Sequence, residues 1–179
     1  MVKIETGDIP CCVFVSNVED HFSIKASVLD ILQKSIIVSI NDKRGNEIYN
    51  TDYFTYNIKD FEFSSQYVTK ITPVIEAHLA SLSSFLGYTS PLEFNRVWFQ
   101  QYIKGNQHAW HRHPDCIFSN IYYVDLPDGA SKTTIRFLGR EFSVDIREGQ
   151  IITFPSFLEH CSKPNNTDKI KTVISFNSN

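Results

Sequence analysis

The 179-residue chain contains no apolar run approaching the roughly 18 to 20 residues needed to cross a bilayer. Its opening MVKIETGDIP lacks the basic-then-apolar order of a secretory signal, so the sequence reads as cytoplasmic, without a membrane partner. Cysteine is scarce. Cys11, Cys12, Cys116 and Cys161 form neither a disulfide framework nor a pair of CxxC knuckles; Cys116 and Cys161 are read as small buried hydrophobes, with a metal role the sharper alternative. Charge of one sign is not in large excess either. A formal net charge of -3 gives no overall basic field for a phosphate backbone, which argues against nucleic acid as a partner. Internal repeats, low-complexity tracts and long Pro/Gly/Ser linkers are missing too, and with them any support for a domain boundary inside the chain.

What is present is aromatic and strand-rich. Hydrophobic residues make up 42% and charged residues 21%, which is globular, and fourteen Phe with eight Tyr favour strands. A single domain over 1–179 is expected, with N-terminal strands and supporting helices in 1–90 and a β-core in 91–179. In the first half CCVFVS and SIIVSIND read as short strands and SVLDILQK as a short helix. From Ser65 to Phe85, Val68, Ile71, Val74, Ile75, Leu79 and Leu82 recur at three-and-four spacing, which predicts a helix with one apolar face. Pro73 either kinks that helix or marks its first turn. After Gly87, FNRVWFQQYI, CIFSNIYYVDL, KTTIRFL, EFSVDI, QIITFP and KTVISFN are strand-like runs separated by short turn signals such as PDGA. Strands in this rhythm, with no helices between, favour a sandwich or jelly roll over a parallel α/β sheet.

The chemistry concentrates in QHAWHRHPD. If the backbone is extended there, His111, His113 and Asp115 project from one face. His160, far downstream at the end of IITFPSFLEH, is the candidate third ligand. Imidazole suits Fe(II), Zn(II) and Cu(II), and three ligands on one face leave positions open for other molecules. A closed four-ligand zinc site would require Cys161 or Asp115 at an unusual spacing. The HxH pair alone is equally compatible with solvated histidines on a polar strand edge.

Between Trp98 and Asn177 the sequence resembles the 2-oxoglutarate- and iron(II)-dependent dioxygenases, in particular the prolyl-4-hydroxylase-like branch and the short bacterial and phage oxygenases related to it. The resemblance is carried, in order, by QYIKGNQHAWHRH, SNIYYVDLP, EGQIITFPSFLEH and KTVISFN. It implies a double-stranded β-helix, of mainly β class and cupin-like, with N-terminal helices packed on one sheet. It further implies Fe(II) and 2-oxoglutarate as cofactors, and hydroxylation of a substrate with release of succinate and CO2. His111 and His160 take the positions of the first and last iron ligands. Lys171 takes that of the basic residue facing the distal carboxylate of 2-oxoglutarate, with Lys169 as the alternative, and Tyr102 and Tyr123 those of hydroxyl donors to the same molecule. The alternative for each tyrosine is a core aromatic with its hydroxyl at the rim. The chain departs from the family where the usual His-x-Asp or His-x-Glu motif has His113 in place of the carboxylate. Either the metal has three imidazoles, or the register slips by two and His113 pairs with Asp115. Trp110 is a candidate substrate platform or a core aromatic, and Lys104, Arg112 and Arg140 are read as solvated charges, with a patch rimming the site as the alternative. The expected substrate is a protein side chain or a small molecule, a choice that fold alone does not make. Competing readings are a three-histidine cupin-type metalloenzyme that does not use 2-oxoglutarate and a non-catalytic jelly-roll binding module.

Overall fold

The computed structural model describes residues 2–6, 9–35, 38–53 and 61–179. In chain order the elements are β1 (Val2–Thr6), β2 (Ile9–Asn17), α1 (His21–Gln33), β3 (Ile40–Asn41), β4 (Glu47–Ile48), β5 (Asn50–Thr51), α2 (Phe61–Leu86), β6 (Phe94–Tyr102) and β7 (His108–His111), followed by β8 (Phe118–Asp125), β9 (Thr133–Phe137), β10 (Arg140–Ser143), β11 (Gln150–Pro155), β12 (Glu159–Ser162) and β13 (Lys171–Ser178). The strands assemble into a seven-stranded sheet ordered β1-β2-β11-β8-β13-β6-β5, a four-stranded sheet ordered β10-β9-β12-β7, and the small β3-β4 pair. Every pairing is antiparallel.

Alternation along the strands determines what each face touches, because successive side chains point to opposite sides of a sheet. On β13, Ile174 and Phe176 face α1 and α2, where they join Val28, Leu32, Ile71, Ile75 and Leu79. Val173 on the other face joins Ile121, Ile135, Ile152 and Phe154 between the two larger sheets. All eight residues of β13 are buried, as expected of a central strand covered on both faces. Two antiparallel sheets closed over one interior layer, with helices behind the larger sheet, form the double-stranded β-helix.

Helix α2 matches the apolar face read from the sequence and runs through Pro73, which lies in its interior. Helix α1 is longer than SVLDILQK and begins at His21. Two strand readings change. Of SIIVSIND only Ile40–Asn41 is strand among the described residues, and Ile36 and Ile37 lie outside them. IITFPSFLEH is not continuous: β11 stops at Pro155, and the turn closed by Leu158 N–H donating to Pro155 O (3.0 Å) carries the chain from the large sheet into the small one. The N-terminal half is part of the same framework, since β2 pairs with β11 and β5 with β6. Among the described residues no helix is long and apolar enough to cross a membrane.

Candidate metal centre

The turn after β6 starts the site. Gly105 has φ of 85°, a left-handed conformation that costs glycine no steric penalty, and Asn106 N–H donates to Ile103 O at 3.0 Å. This tight reversal moves the chain from the large sheet to the small one, where β7 runs beside β12. His160 and His111 are direct cross-strand partners there, yet Ser162 pairs with His108. Two steps on β12 therefore match three on β7, a bulge that turns His108 and His111 toward the same side. Their rings stack with centroids 3.9 Å apart. His113 follows the end of β7, with Pro114 behind it favouring an extended backbone.

The ligand-capable atoms of His111, His113 and His160 lie within 4.8 Å of one another. Two of the rings are oriented from behind. His111 Nδ1 donates to Ala109 O at 2.7 Å and His160 Nδ1 to Leu158 O at 3.1 Å. A carbonyl only accepts, so Nδ1 carries the proton in both, and Nε2 is left as a free electron pair. Metal-binding histidines are commonly held this way. Packing restrains the rings further, with Trp98 against His113 at 5.6 Å and the Phe154 edge against His160 at 4.8 Å. Burial disfavours the charged imidazolium at every position. It lowers the pKa of His111, takes His113 down to about 4, and holds His108 and His160 well below the ordinary histidine value. Neutral imidazoles converging with free electron pairs fit a divalent transition metal.

Asp115 is outside this cluster, exposed in the turn beyond β7. The register-slip alternative is corrected accordingly: the strand ends at His111, and alternation does not extend far enough to bring Asp115 to the same face. Three imidazoles and no carboxylate make up the convergent set. Cys161 is buried and burial raises its thiol pKa to about 11, while Cys116 is half-buried; neither joins the cluster. The side chains of Cys11 and Cys12 lie outside the described residues.

The cluster opens into a cavity between the two sheets. Lys171 lies on the large-sheet wall, almost completely buried. Its Nζ donates to Ser162 Oγ (2.6 Å) and Ser131 O (3.0 Å) and sits 4.3 Å from the centre of the Tyr102 ring. None of the ion pairs among the described residues includes it, and burial takes its pKa down to about 7. Tyr102 lines the cavity. The Tyr123 hydroxyl is already engaged, donating to Thr133 Oγ1 at 2.8 Å and accepting from Thr133 N–H at 3.1 Å. Lys169, by contrast, is exposed. Trp110 is half-buried beneath the Arg136 guanidinium (3.8 Å) and is not part of the cavity wall. Lys104 pairs with Asp168 at 3.0 Å on the surface, and Arg112 and Arg140 are exposed.

Sequence reasoning passed over His108 and Gln100, although both line the cavity and Gln100 Nε2 donates to His108 Nδ1 at 3.1 Å. Gln100 was accessible in principle. It stands two residues from Tyr102 on one strand and so shares its face, whereas His108 depends on a bulge that leaves no sequence signature.

No family model matches the sequence, and no curated protein resembles it closely enough to count as a match. Solved structures do. The non-haem α-ketoglutarate-dependent epimerase SnoN of nogalamycin biosynthesis has a TM-score of 0.68 at 14% identity, over 94% of this chain and 78% of its own. A Pseudomonas putida prolyl-4-hydroxylase gives 0.60 at 14% identity over 94% and 92% of the two chains. The viral collagen prolyl hydroxylase of Paramecium Bursaria Chlorella virus-1, solved with 2-oxoglutarate, gives 0.58 at 14% over 93% and 94%. At these identities the likeness is one of fold, and the chain has the double-stranded β-helix fold of the 2-oxoglutarate/Fe(II)-dependent oxygenase superfamily.

Proposed function

We propose that this protein is a mononuclear non-haem metalloenzyme in which His111, His113 and His160 hold Fe(II) as three neutral imidazoles. The observation that carries the reading is the convergence of these three side chains at the mouth of an inter-sheet cavity, with the Nδ1 protons of His111 and His160 tied to backbone carbonyls. When bound, Fe(II) supplies the redox chemistry of O2-dependent oxidation. The protein's share is positional. Ala109 O and Leu158 O fix the tautomers of His111 and His160, burial keeps the rings neutral at pH 7, and Trp98 and Phe154 limit ring rotation. Oxygenases usually hold iron with two histidines and one carboxylate. Three imidazoles leave the centre one charge unit more positive, which weakens the analogy with 2-oxoglutarate hydroxylases.

A second reading, hydroxylation with 2-oxoglutarate as cosubstrate, is favoured by Lys171. A buried ammonium with only hydroxyl and carbonyl partners is costly, and a carboxylate entering the cavity would relieve that cost. Anaerobic titration of the protein with Fe(II), followed by 2-oxoglutarate, separates the possibilities. Iron binding with no visible charge-transfer band on adding 2-oxoglutarate supports the three-histidine enzyme without that cosubstrate. A new band establishes the second reading. Failure to bind iron at all leaves a binding module on an oxygenase fold and contradicts both.

A further inference from the structure

Beyond the histidines, the large-sheet wall of the cavity carries polar atoms that the fold leaves unused. Trp98 on β6, Ser119 on β8 and Asn177 on β13 are 2%, 3% and 7% exposed, and all three line the cavity. Trp98 Nε1, Ser119 Oγ and Asn177 Oδ1 have no hydrogen-bond partner among the described residues. Sequence and register place them together. Asn177 lies directly across from Ser119 on one side, and Trp98 pairs with Ser175, two residues from Asn177 on the same face of β13. Buried polar groups without partners are destabilising, so three on one wall signal a missing ligand or water. The neighbouring Cys116 sulfur offers Ser119 only a weak alternative.

The pattern of these atoms is selective. An indole N–H only donates and a carboxamide oxygen only accepts, so the complementary ligand presents an acceptor and a donor on one small group. As oriented, Asn177 presents Oδ1 to the cavity, and a carboxylate would set acceptor against acceptor there. An ammonium would have no use for the indole donor, and it would lie near the Arg96 guanidinium, which sits 5.5 Å from the Trp98 ring centre. A neutral secondary or primary amide meets both requirements. We propose that Trp98, Ser119 and Asn177 form a substrate subsite for a neutral amide group, with the indole N–H donating to the amide carbonyl and Asn177 Oδ1 accepting its N–H. The inference rests on the metal-centre reading only in calling this ligand a substrate. It narrows that substrate to peptide-like or carboxamide-bearing molecules.

The chain has two tryptophans, Trp98 and Trp110, so the indole N–H region of a nitrogen-15 NMR spectrum contains two side-chain signals, assigned with Trp98→Phe. The protein is titrated with N-methylacetamide and, separately, with N,N-dimethylacetamide, which keeps the carbonyl and lacks the N–H. The Trp98 signal is expected to shift saturably with N-methylacetamide while Trp110 stays fixed. The dimethyl compound should bind about two- to tenfold more weakly, the loss of one hydrogen bond. Asn177→Leu should abolish that preference, and the wild-type comparison stands without the variant should it fail to fold. A Trp98 signal that ignores both amides, responds to both equally, or moves only together with Trp110 overturns the subsite and leaves these atoms to a buried water only. The same titrations with Co(II) present keep the two readings apart. Co(II) binding without an amide response sinks the subsite alone; an amide response without Co(II) binding sinks the metal centre alone.

Discussion

Lys171 shows how much of this site is set by where one charge sits. An ammonium at the surface would be solvated and unremarkable to its neighbours, but here Ser162 Oγ, Ser131 O and the Tyr102 ring replace water incompletely. Burial lowers its pKa from the ordinary 10.5 to about 7. A bound carboxylate stabilises the charged form and raises that value again. If 2-oxoglutarate binds there, its affinity follows the titration of this amine. Below pH 7 the amine is already protonated and affinity is flat; above pH 7 binding must first take up a proton, and affinity falls by up to about tenfold per pH unit. Calorimetric titration of the iron-loaded protein under argon should show this slope. Lys171→Ala should weaken binding by about 10- to 100-fold, the usual range for a charge-assisted hydrogen bond, and should remove the slope. Unchanged affinity in the variant would withdraw the role assigned to Lys171.

At the level of elements, the helical layer is pinned to the large sheet by a directional polar chain as well as by apolar contact. Ser16 Oγ donates to His78 Nδ1 (2.7 Å), His78 Nε2 donates to Thr153 Oγ1 (2.7 Å), Thr153 donates to Asn120 Oδ1, and Asn120 Nδ2 donates to Phe176 O (3.0 Å). The sequence of donors requires a neutral imidazole, because protonating Nδ1 leaves it nothing to accept from Ser16. Burial agrees, taking the His78 pKa from 6.5 down to about 4. The unfolded chain therefore binds a proton that the folded chain refuses between these values. The contribution of His78 is fully present above pH 6.5, drains away as pH falls toward 4, and amounts to ~3 kcal/mol at most. Urea unfolding of wild type and His78→Gln at pH 7.5 and pH 4.5 measures it. The glutamine variant should lose less stability on acidification than wild type, and equal losses would contradict the assignment.

The long strands and α2 were legible because their apolar periodicity extends over enough residues to distinguish period 2 from 3.6. The strand carrying His160 was not, because β12 has four residues and its separation from β11 is decided by a turn rather than by hydropathy. An extended backbone through Asp115 would put it on the His113 face, but the chain turns first. The polar wall is a subtler case: in KTVISFN the residues facing the helices are Thr172, Ile174 and Phe176, while those facing the cavity are Lys171, Val173, Ser175 and Asn177. Polar residues on the inward positions become informative only once the topology shows which side is inward.

For the molecule as a whole, the two sheets serve different purposes. The small sheet and the chain just beyond β7 supply the imidazoles; the large sheet supplies Lys171 at one part of the cavity and Trp98, Ser119 and Asn177 at another. Helices α1 and α2 cover the far face of the large sheet and leave the cavity side open. Because His111 and His160 belong to paired strands and His113 N–H donates to Ser156 O (3.3 Å) just beyond β7, a metal ion binds a largely prepared site and stabilises the folded chain by mass action.

The most direct measurement is equilibrium titration of the purified protein with Fe(II) under argon, for wild type and for His111→Ala, His113→Ala, His160→Ala and Asp115→Ala. One ion per chain is expected, with unchanged affinity in Asp115→Ala and losses in each histidine variant beyond the roughly 10- to 100-fold that outer-shell partners typically cost. Iron binding that survives His113→Ala and disappears in Asp115→Ala would rule out a three-imidazole centre.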